Sequence, residues 1–312
     1  MAARTWHHPA WLIAFSVALA AILASIGCAE KRDVKTVSLK SSLENLGPQP
    51  QRSDVAPLRV GIAAVVSPKE TFRSYQELLT YLGRQLGQPV DMIQRNTYAE
   101  MNDLIRTGEV DLAFVCTEAY VLGNKEFGMK LVAVPQVNGE PLYYSYLIVH
   151  RDSGAQGLDD LRGKTFAFTD PMSTSGRLVP VFQLWRIGEK PDTFFKKSVF
   201  TYSHDNSVKA VAERLVDGAA VDSLVYDYLA ERDPEYASRT KVIGRYGPFG
   251  SPPVVVHPSL DPELRERLSR ELLNVHNSNV GRQILRELRI DRFVTADDRN
   301  YDPVREMLST ER

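Results

Sequence analysis

Thr165–Gly176 reads TFAFTDPMSTSG. The apolar run Thr165–Phe168 predicts a strand, Asp170-Pro171 a turn, and the stretch from Ser175 through Trp185 a helix. Three consecutive hydroxyl residues, Ser173, Thr174 and Ser175, fall where a helix exposes backbone N–H groups that lack intrahelical acceptors. Hydroxyls, N–H donors and the positive helix end can converge there on an oxyanion. The same residues also fit a plain N-cap with a serine turn. Either way, a strand feeding a helix through such a turn belongs to an α/β architecture.

Downstream, the same alternation continues through strand Ser198–Tyr202, helix Asn206–Leu215, strand Ala219–Val221, helix Leu224–Glu231 and strand Lys241–Ile243. Upstream lies a similar unit. Leu58–Val66 is an apolar strand, and Ser67-Pro68-Lys69-Glu70 opens a helix with Leu78, Leu79, Leu82 and Leu86 at helical spacing. Val90–Ile93 is a strand, Thr97-Tyr98-Ala99-Glu100 a capping box, and Val110–Val115 the next strand. Tyr143–His150 leads away from this unit. Beyond the glycine- and proline-rich stretch 247–253, Val254–His257 leads to helices spanning Pro262 to about Arg289. Two α/β units joined by two crossings predict two discontinuous lobes, a layout that resembles the two-lobed periplasmic binding proteins, which implies that each lobe is a mixed sheet flanked by helices with a ligand cleft between them. The expected boundaries are 57–145 and 248–312 for lobe one, and 146–247 for lobe two.

Of the 312 residues, 25% are charged and 43% hydrophobic, which is ordinary for a globular chain, and the net charge is −1. A near-neutral chain lacks the basic field that nucleic acid calls for. Any anion site must therefore rest on local donors. Trp11–Ile26 is an unbroken apolar run behind Arg4, and it ends at Gly27-Cys28-Ala29. The pattern resembles a bacterial lipobox, although Ser25 stands where leucine is usual. Residues 1–28 are expected to be a lipoprotein signal peptide, with Cys28 acylated; an uncleaved anchor or ordinary secretory cleavage are the alternatives. Residues 29–56 are polar and aperiodic, as a tether would be. The chain has 2 cysteines. Cys116 ends an apolar run and is expected to be a buried strand-end residue.

Four segments together resemble the PhnD-like phosphate/phosphite/phosphonate-binding proteins of ABC transporters: YQELLTYLGRQLGQPV from Tyr75, TYAEMNDLIRTGEVDLAFV from Thr97, DPMSTSGRLVP from Asp170 and SHDNSVKAVAERLVDGAAVD from Ser203. The last two are the specific ones. The resemblance implies a periplasmic-binding-protein fold and a monomeric extracytoplasmic receptor. It would carry phosphite, phosphate or a small phosphonate to an ABC permease, or report it to a membrane sensor kinase. It implies that Ser173, Thr174 and Ser175 grip the oxyanion and that His204, on the next strand-to-helix turn, donates to it. Tyr75 and Tyr120 are candidate walls, though both also fit helix packing. Asp222 is a candidate to orient a donor or to accept from a protonated ligand. Where aminophosphonate receptors carry acids, this chain has Leu224 and Pro252, which favours an amine-free ligand. Glu118 is expected to point away from the cleft, since a carboxylate facing in would repel a dianion.

Catalysis has little support. Ser175, His204 and Asp222 occur in that order, but no G-x-S-x-G elbow accompanies them. No G-x-x-x-x-G-K-[ST] loop is present. No ligand spacing suggests a metal, and no cofactor is expected.

Overall fold

The computed structural model describes residues 56–310. The expected leader with Cys28 and almost all of the expected tether lie outside them. The first lobe runs β1 (Leu58–Ile62), α1 (Pro68–Leu86), β2 (Val90–Gln94), α2 (Tyr98–Arg106), β3 (Leu112–Phe114), α3 (Thr117–Phe127) and β4 (Lys130–Gln136). The second lobe follows with β5 (Leu142–His150), β6 (Thr165–Phe168), α4 (Val179–Arg186), α5 (Pro191–Phe194), β7 (Lys197–Phe200), α6 (His204–Ala212), β8 (Gly218–Asp222), α7 (Ser223–Arg232), α8 (Pro234–Ala237) and β9 (Thr240–Gly250). The chain returns to the first lobe through β10 (Val254–Val256), α9 (Pro262–Asn274), α10 (Asn279–Glu287), β11 (Arg292–Val294) and α11 (Asp302–Thr310).

Among the described residues the strands form two mixed sheets, ordered β11-β4-β10-β3-β1-β2 and β7-β6-β8-β5-β9. In the first, β2, β1 and β3 are parallel and β10 is antiparallel to β3. In the second, β7, β6 and β8 are parallel and β5 is antiparallel to β8. Each lobe therefore repeats one arrangement: three parallel strands closed by an antiparallel strand. The strand-to-helix turns of both lobes bring their binding-competent ends to a common crevice.

Apolar residues on both faces of each sheet are covered by helices. Leu78, Leu82, Leu268 and Leu272 pack with Val60, Leu112 and Val254 on one face of the first sheet. Phe166, Phe168, Leu184 and Phe194 form one core of the second lobe, and Ile148, Val208, Val211 and Val221 form the other. One cluster joins the lobes: Ala63, Tyr98 and Cys116 meet Tyr143, Leu178 and Val179. Cys116 is buried in it, as its place at a strand end leads one to expect.

The Thr97 capping box forms in both halves: the Thr97 hydroxyl accepts from Glu100 N–H, and the Glu100 carboxylate accepts from Thr97 N–H. The expected cap at Ser67 forms differently. Ser67 occupies the N-cap position, but its side chain makes no capping bond. Its backbone N–H instead donates to Asp205 Oδ1 of the other lobe at 2.9 Å. The loop expected from Gly247 starts later, because β9 continues through Gly250 in register with Leu142. β4, α3, β11 and α11 are further elements that the sequence reading did not identify.

Candidate functional site

The site grows from the turn after β6. Asp170 is buried there and anchors the loop: Oδ1 accepts from Met172 N–H at 2.7 Å, and Oδ2 from Tyr98 N–H of the first lobe at 3.2 Å. Ser173 caps the following helix, its hydroxyl oxygen accepting from Gly176 N–H at 3.0 Å. That bond uses a lone pair and leaves the Ser173 proton free to donate. Thr174–Leu178 form a π-helical turn that leads into α4. Its wider coil spreads the first N–H groups, as π-turns at functional sites do. Thr174 and Ser175 are fully buried, yet neither hydroxyl has a hydrogen-bond partner among the described residues.

His204 is the first residue of α6, one position inside the helix that was expected to follow it. Its backbone N–H donates across the lobes to Val65 O at 3.0 Å. Its ring Nδ1 accepts from the Asp222 backbone N–H at 3.0 Å and lies 3.2 Å from Thr169 Oγ1. An amide can only donate, so Nδ1 must be unprotonated and Nε2 carries the hydrogen. Burial lowers the ring pKa to about 3. His204 is thus a neutral donor through Nε2. Asp222 caps α7, with Oδ1 accepting from Leu224 N–H at 2.7 Å and from Val225 N–H at 3.4 Å. Its backbone N–H thereby holds the His204 ring.

Four more hydroxyls escaped the sequence reading: Tyr98, Tyr143, Ser203 and Ser251, all buried side-chain oxygens with no hydrogen-bond partner among the described residues. The Tyr143 hydroxyl lies within electrostatic reach of the Thr117 and Thr174 hydroxyls without reaching hydrogen-bond geometry. Tyr98 senses Asp170, Asp222 and Tyr143. Leaving one buried polar group unpaired costs about 1–3 kcal/mol. Several donors left so, drawn from both lobes, are what a ligand rich in acceptors would satisfy.

A chamber of about 160 Å³ adjoins this cradle, lined by residues of both lobes that include Tyr75, Asp222, Leu224 and Pro252. Tyr75 packs edge-on against Phe114 with centroids 5.1 Å apart, and burial raises its pKa to about 12. Tyr120 does not join the group. It packs edge-on against Tyr301, and its hydroxyl donates to Asp298 Oδ1 at 2.6 Å. The turn of α3 after β3 aims that ring at the C-terminal helix and away from the chamber. Glu118 is buried in the first turn of α3, near the Cys116 thiol, and is not among the residues that line the chamber.

The lobes are tied at the rim as well. Arg289 pairs with Glu231 at 2.7 Å and donates to Asp227 O at 2.7 Å. Arg232 pairs with Glu287 at 3.2 Å and donates to Arg286 O at 3.0 Å.

Burial raises the Asp222 pKa from 3.8 to about 7, outweighing the two N–H bonds that favour its anion. A raised folded-state pKa means that its contribution to stability is whole below 3.8 and is lost as pH rises through about 7. His204 has the opposite sign: lowered from 6.5 to about 3, it contributes above 6.5 and loses that contribution as pH falls through about 3. The two oppose each other between 3.8 and 6.5, and Asp222 alone acts above that window. Asp222→Asn keeps the capping oxygen and removes the charge. The wild type should lose melting temperature between about pH 6.5 and pH 8, and the variant should lose less. Parallel melting curves over that window would refute the assignment.

The profile of the family described as "ABC transporter, phosphonate, periplasmic substrate-binding protein" matches residues 60–301. The phosphonates-binding periplasmic protein of Escherichia coli is 27% identical over 258 residues, 80% of this chain and 75% of that protein. The phosphate-import protein PhnD of Mycolicibacterium smegmatis is 28% identical over 235 residues, 71% of this chain and 73% of that protein. Among solved structures, a binding-protein component of an ABC phosphonate transporter from Pseudomonas aeruginosa superposes with a TM-score of 0.77 at 26% identity, covering 81% of this chain and 86% of that one. The fold is also that of PhnD1 from Prochlorococcus marinus, solved with methylphosphonate, at a TM-score of 0.74 and 22% identity over 81% of this chain and 97% of that one.

Proposed function

The chain belongs to the family of periplasmic substrate-binding proteins of ABC phosphonate transporters, and from that premise we propose that its cradle captures phosphite, phosphate or a small phosphonate for delivery to an ABC permease. In this reading Ser173, Thr174 and Ser175 donate to the oxyanion through hydroxyls and helix N–H groups, His204 donates through Nε2, and Asp222 holds that ring in place. Tyr98, Tyr143, Ser203 and Ser251 complete the donor set, and Tyr75 walls the chamber beside it. Tyr120 is left out. The observation that carries the proposal is the set of buried hydroxyls, drawn from both lobes and without partners among the described residues, that includes Thr174 and Ser175 at the helix start. Charge-assisted bonds from neutral donors can replace the hydration of such an anion. The relative from E. coli is named for phosphonates and that from M. smegmatis for phosphate import, which supports the ligand class.

The test is a thermal-shift and calorimetric screen with phosphate, phosphite, methylphosphonate and sulfate. A ligand at some tens of times its Kd should raise stability by about 2 kcal/mol. Protein freed of carried-over ligand that shifts with none of the phosphorus species would overturn the proposal. Delivery to a kinase instead of a permease is the alternative destination; it uses the same capture step.

The family acts outside the cytoplasm, and we place this member on the membrane surface as a monomer, held by lipid on Cys28. The support is the apolar run ending at Gly27-Cys28. Cys28→Ser should abolish lipid attachment, read by mass spectrometry of the mature N-terminus; an unmodified Cys28 in the wild type would refute the anchor.

Closure should draw on the rim pairs. Exposed pairs are each worth about 0–1 kcal/mol, so Arg232→Met combined with Arg289→Met should weaken binding by about two- to tenfold. Unchanged affinity by calorimetry would show that closure does not use them.

A further inference from the structure

The chamber beside the cradle has a chemistry of its own. Ile62 and Phe114 of the first sheet, Val137, Leu224, Pro252 and Ile290 line it, so its walls are chiefly hydrocarbon from both lobes. It meets the cradle at three places. Val65 lines the chamber and accepts the His204 backbone N–H. Asp222 lines it and donates its own N–H to the His204 ring. Pro252 lines it and is the neighbour of Ser251, whose hydroxyl is among the unpartnered donors. A substituent on a phosphorus atom held in the cradle therefore has the chamber next to it.

Each of its charged members has a partner in the protein. Asp222 Oδ1 is held by two N–H groups at the start of α7. Asp205 Oδ1 accepts from Ser67 N–H at 2.9 Å. Asp227 lies in the field of Arg289 and Arg245 and within bonding reach of the Tyr146 hydroxyl. Arg289 is paired with Glu231. What the chamber offers an entering group is apolar surface. Its volume of about 160 Å³ is comparable to the roughly 150 Å³ apolar cavity that takes up benzene in a protein interior.

We infer that the chamber receives an uncharged hydrocarbon substituent, so that the preferred ligand class is an alkyl- or arylphosphonate larger than methylphosphonate. This rests on the oxyanion reading of the cradle. Each buried methylene adds about fourfold in affinity at about 0.8 kcal/mol. Butylphosphonate and phenylphosphonate should therefore bind at least about tenfold more tightly than methylphosphonate. 2-Aminoethylphosphonate should bind more weakly than butylphosphonate, because its ammonium would lose water against chiefly apolar walls.

Calorimetry with methyl-, butyl-, phenyl- and 2-aminoethylphosphonate decides the matter, together with Leu224→Asn. That variant should lower butyl- and phenylphosphonate affinity at least about tenfold while methylphosphonate affinity stays within about threefold. Methylphosphonate binding as tightly as the larger ligands, or 2-aminoethylphosphonate binding most tightly, would overturn the chamber's assignment and leave the cradle's intact. Equal losses for all ligands in the variant would also overturn it. Failure of every phosphonate to bind while phosphate or phosphite still binds would overturn the chamber's assignment alone; failure of phosphate and phosphite as well would overturn both.

Discussion

Ser175→Ala combined with His204→Ala should reduce affinity for the best phosphorus ligand by more than about a hundredfold. A hydrogen bond to a charged partner is worth about 1.5–3 kcal/mol, or about ten- to a hundredfold per donor. The two residues stand on successive turns of the second sheet and make no direct bond to each other, so their losses should nearly add. His204→Asn should be milder than His204→Ala, since an amide N–H can still donate. Because Ser175 and His204 are buried, circular dichroism and melting must accompany the calorimetry. A folded double variant that binds within about threefold of the wild type would place the anion elsewhere.

Gly176→Ala should be the most damaging single methyl in the cradle. A Cβ there would sit 2.4 Å from Thr169 Oγ1, 2.5 Å from Thr169 Cβ and 2.9 Å from Ser173 Oγ. Thr169 is buried and cannot swing away: its hydroxyl lies 3.2 Å from His204 Nδ1 and 3.4 Å from both Ser207 Oγ and Ala220 O. The added carbon presses on the residue that abuts the histidine and on the serine that caps the helix. Overpacking of this kind costs about 1–3 kcal/mol, equivalent to roughly 2–6 °C in melting temperature for a chain of this size. Ligand affinity should fall at least about tenfold with it, because both halves of the grip shift together. A variant that melts and binds as the wild type does would mean that this turn relaxes freely.

Residues 165–176 were legible because every local signal there agrees: an apolar strand, an Asp-Pro turn and a capped helix. Thr97 and Glu100 were legible for the same reason. Pro248 hid the end of β9, since proline reads as a strand breaker. β9 lies at the edge of its sheet, where a missing N–H costs no ladder bond. Pro135 hid β4 in the same manner, although that strand is paired on both sides. Tyr98, Tyr143, Ser203 and Ser251 were illegible for a different reason. Even where the segment around it carries a motif, as at Tyr98 and Ser203, the hydroxyl's significance comes only from the meeting of two lobes distant in sequence. Tyr120 misled because its position after a strand matched the pattern, whereas the direction of its ring is set by Tyr301 and Asp298, far along the chain.

The ladder between β5 and β9 runs from Leu142 opposite Gly250 to His150 opposite Thr240. The polypeptide thus enters and leaves the second sheet at one spot. Seen as a piece of gene, that half of the protein is a cassette: its ends are already side by side, and it carries two apolar clusters largely its own. Such a segment can be exchanged between relatives, or the chain reopened elsewhere and its old ends joined, without stretching either connection. The oxyanion turns of β6 and β7 would travel with the cassette. Most of the chamber's hydrocarbon wall would stay behind, so grip and choice of substituent can diverge on separate stretches of sequence.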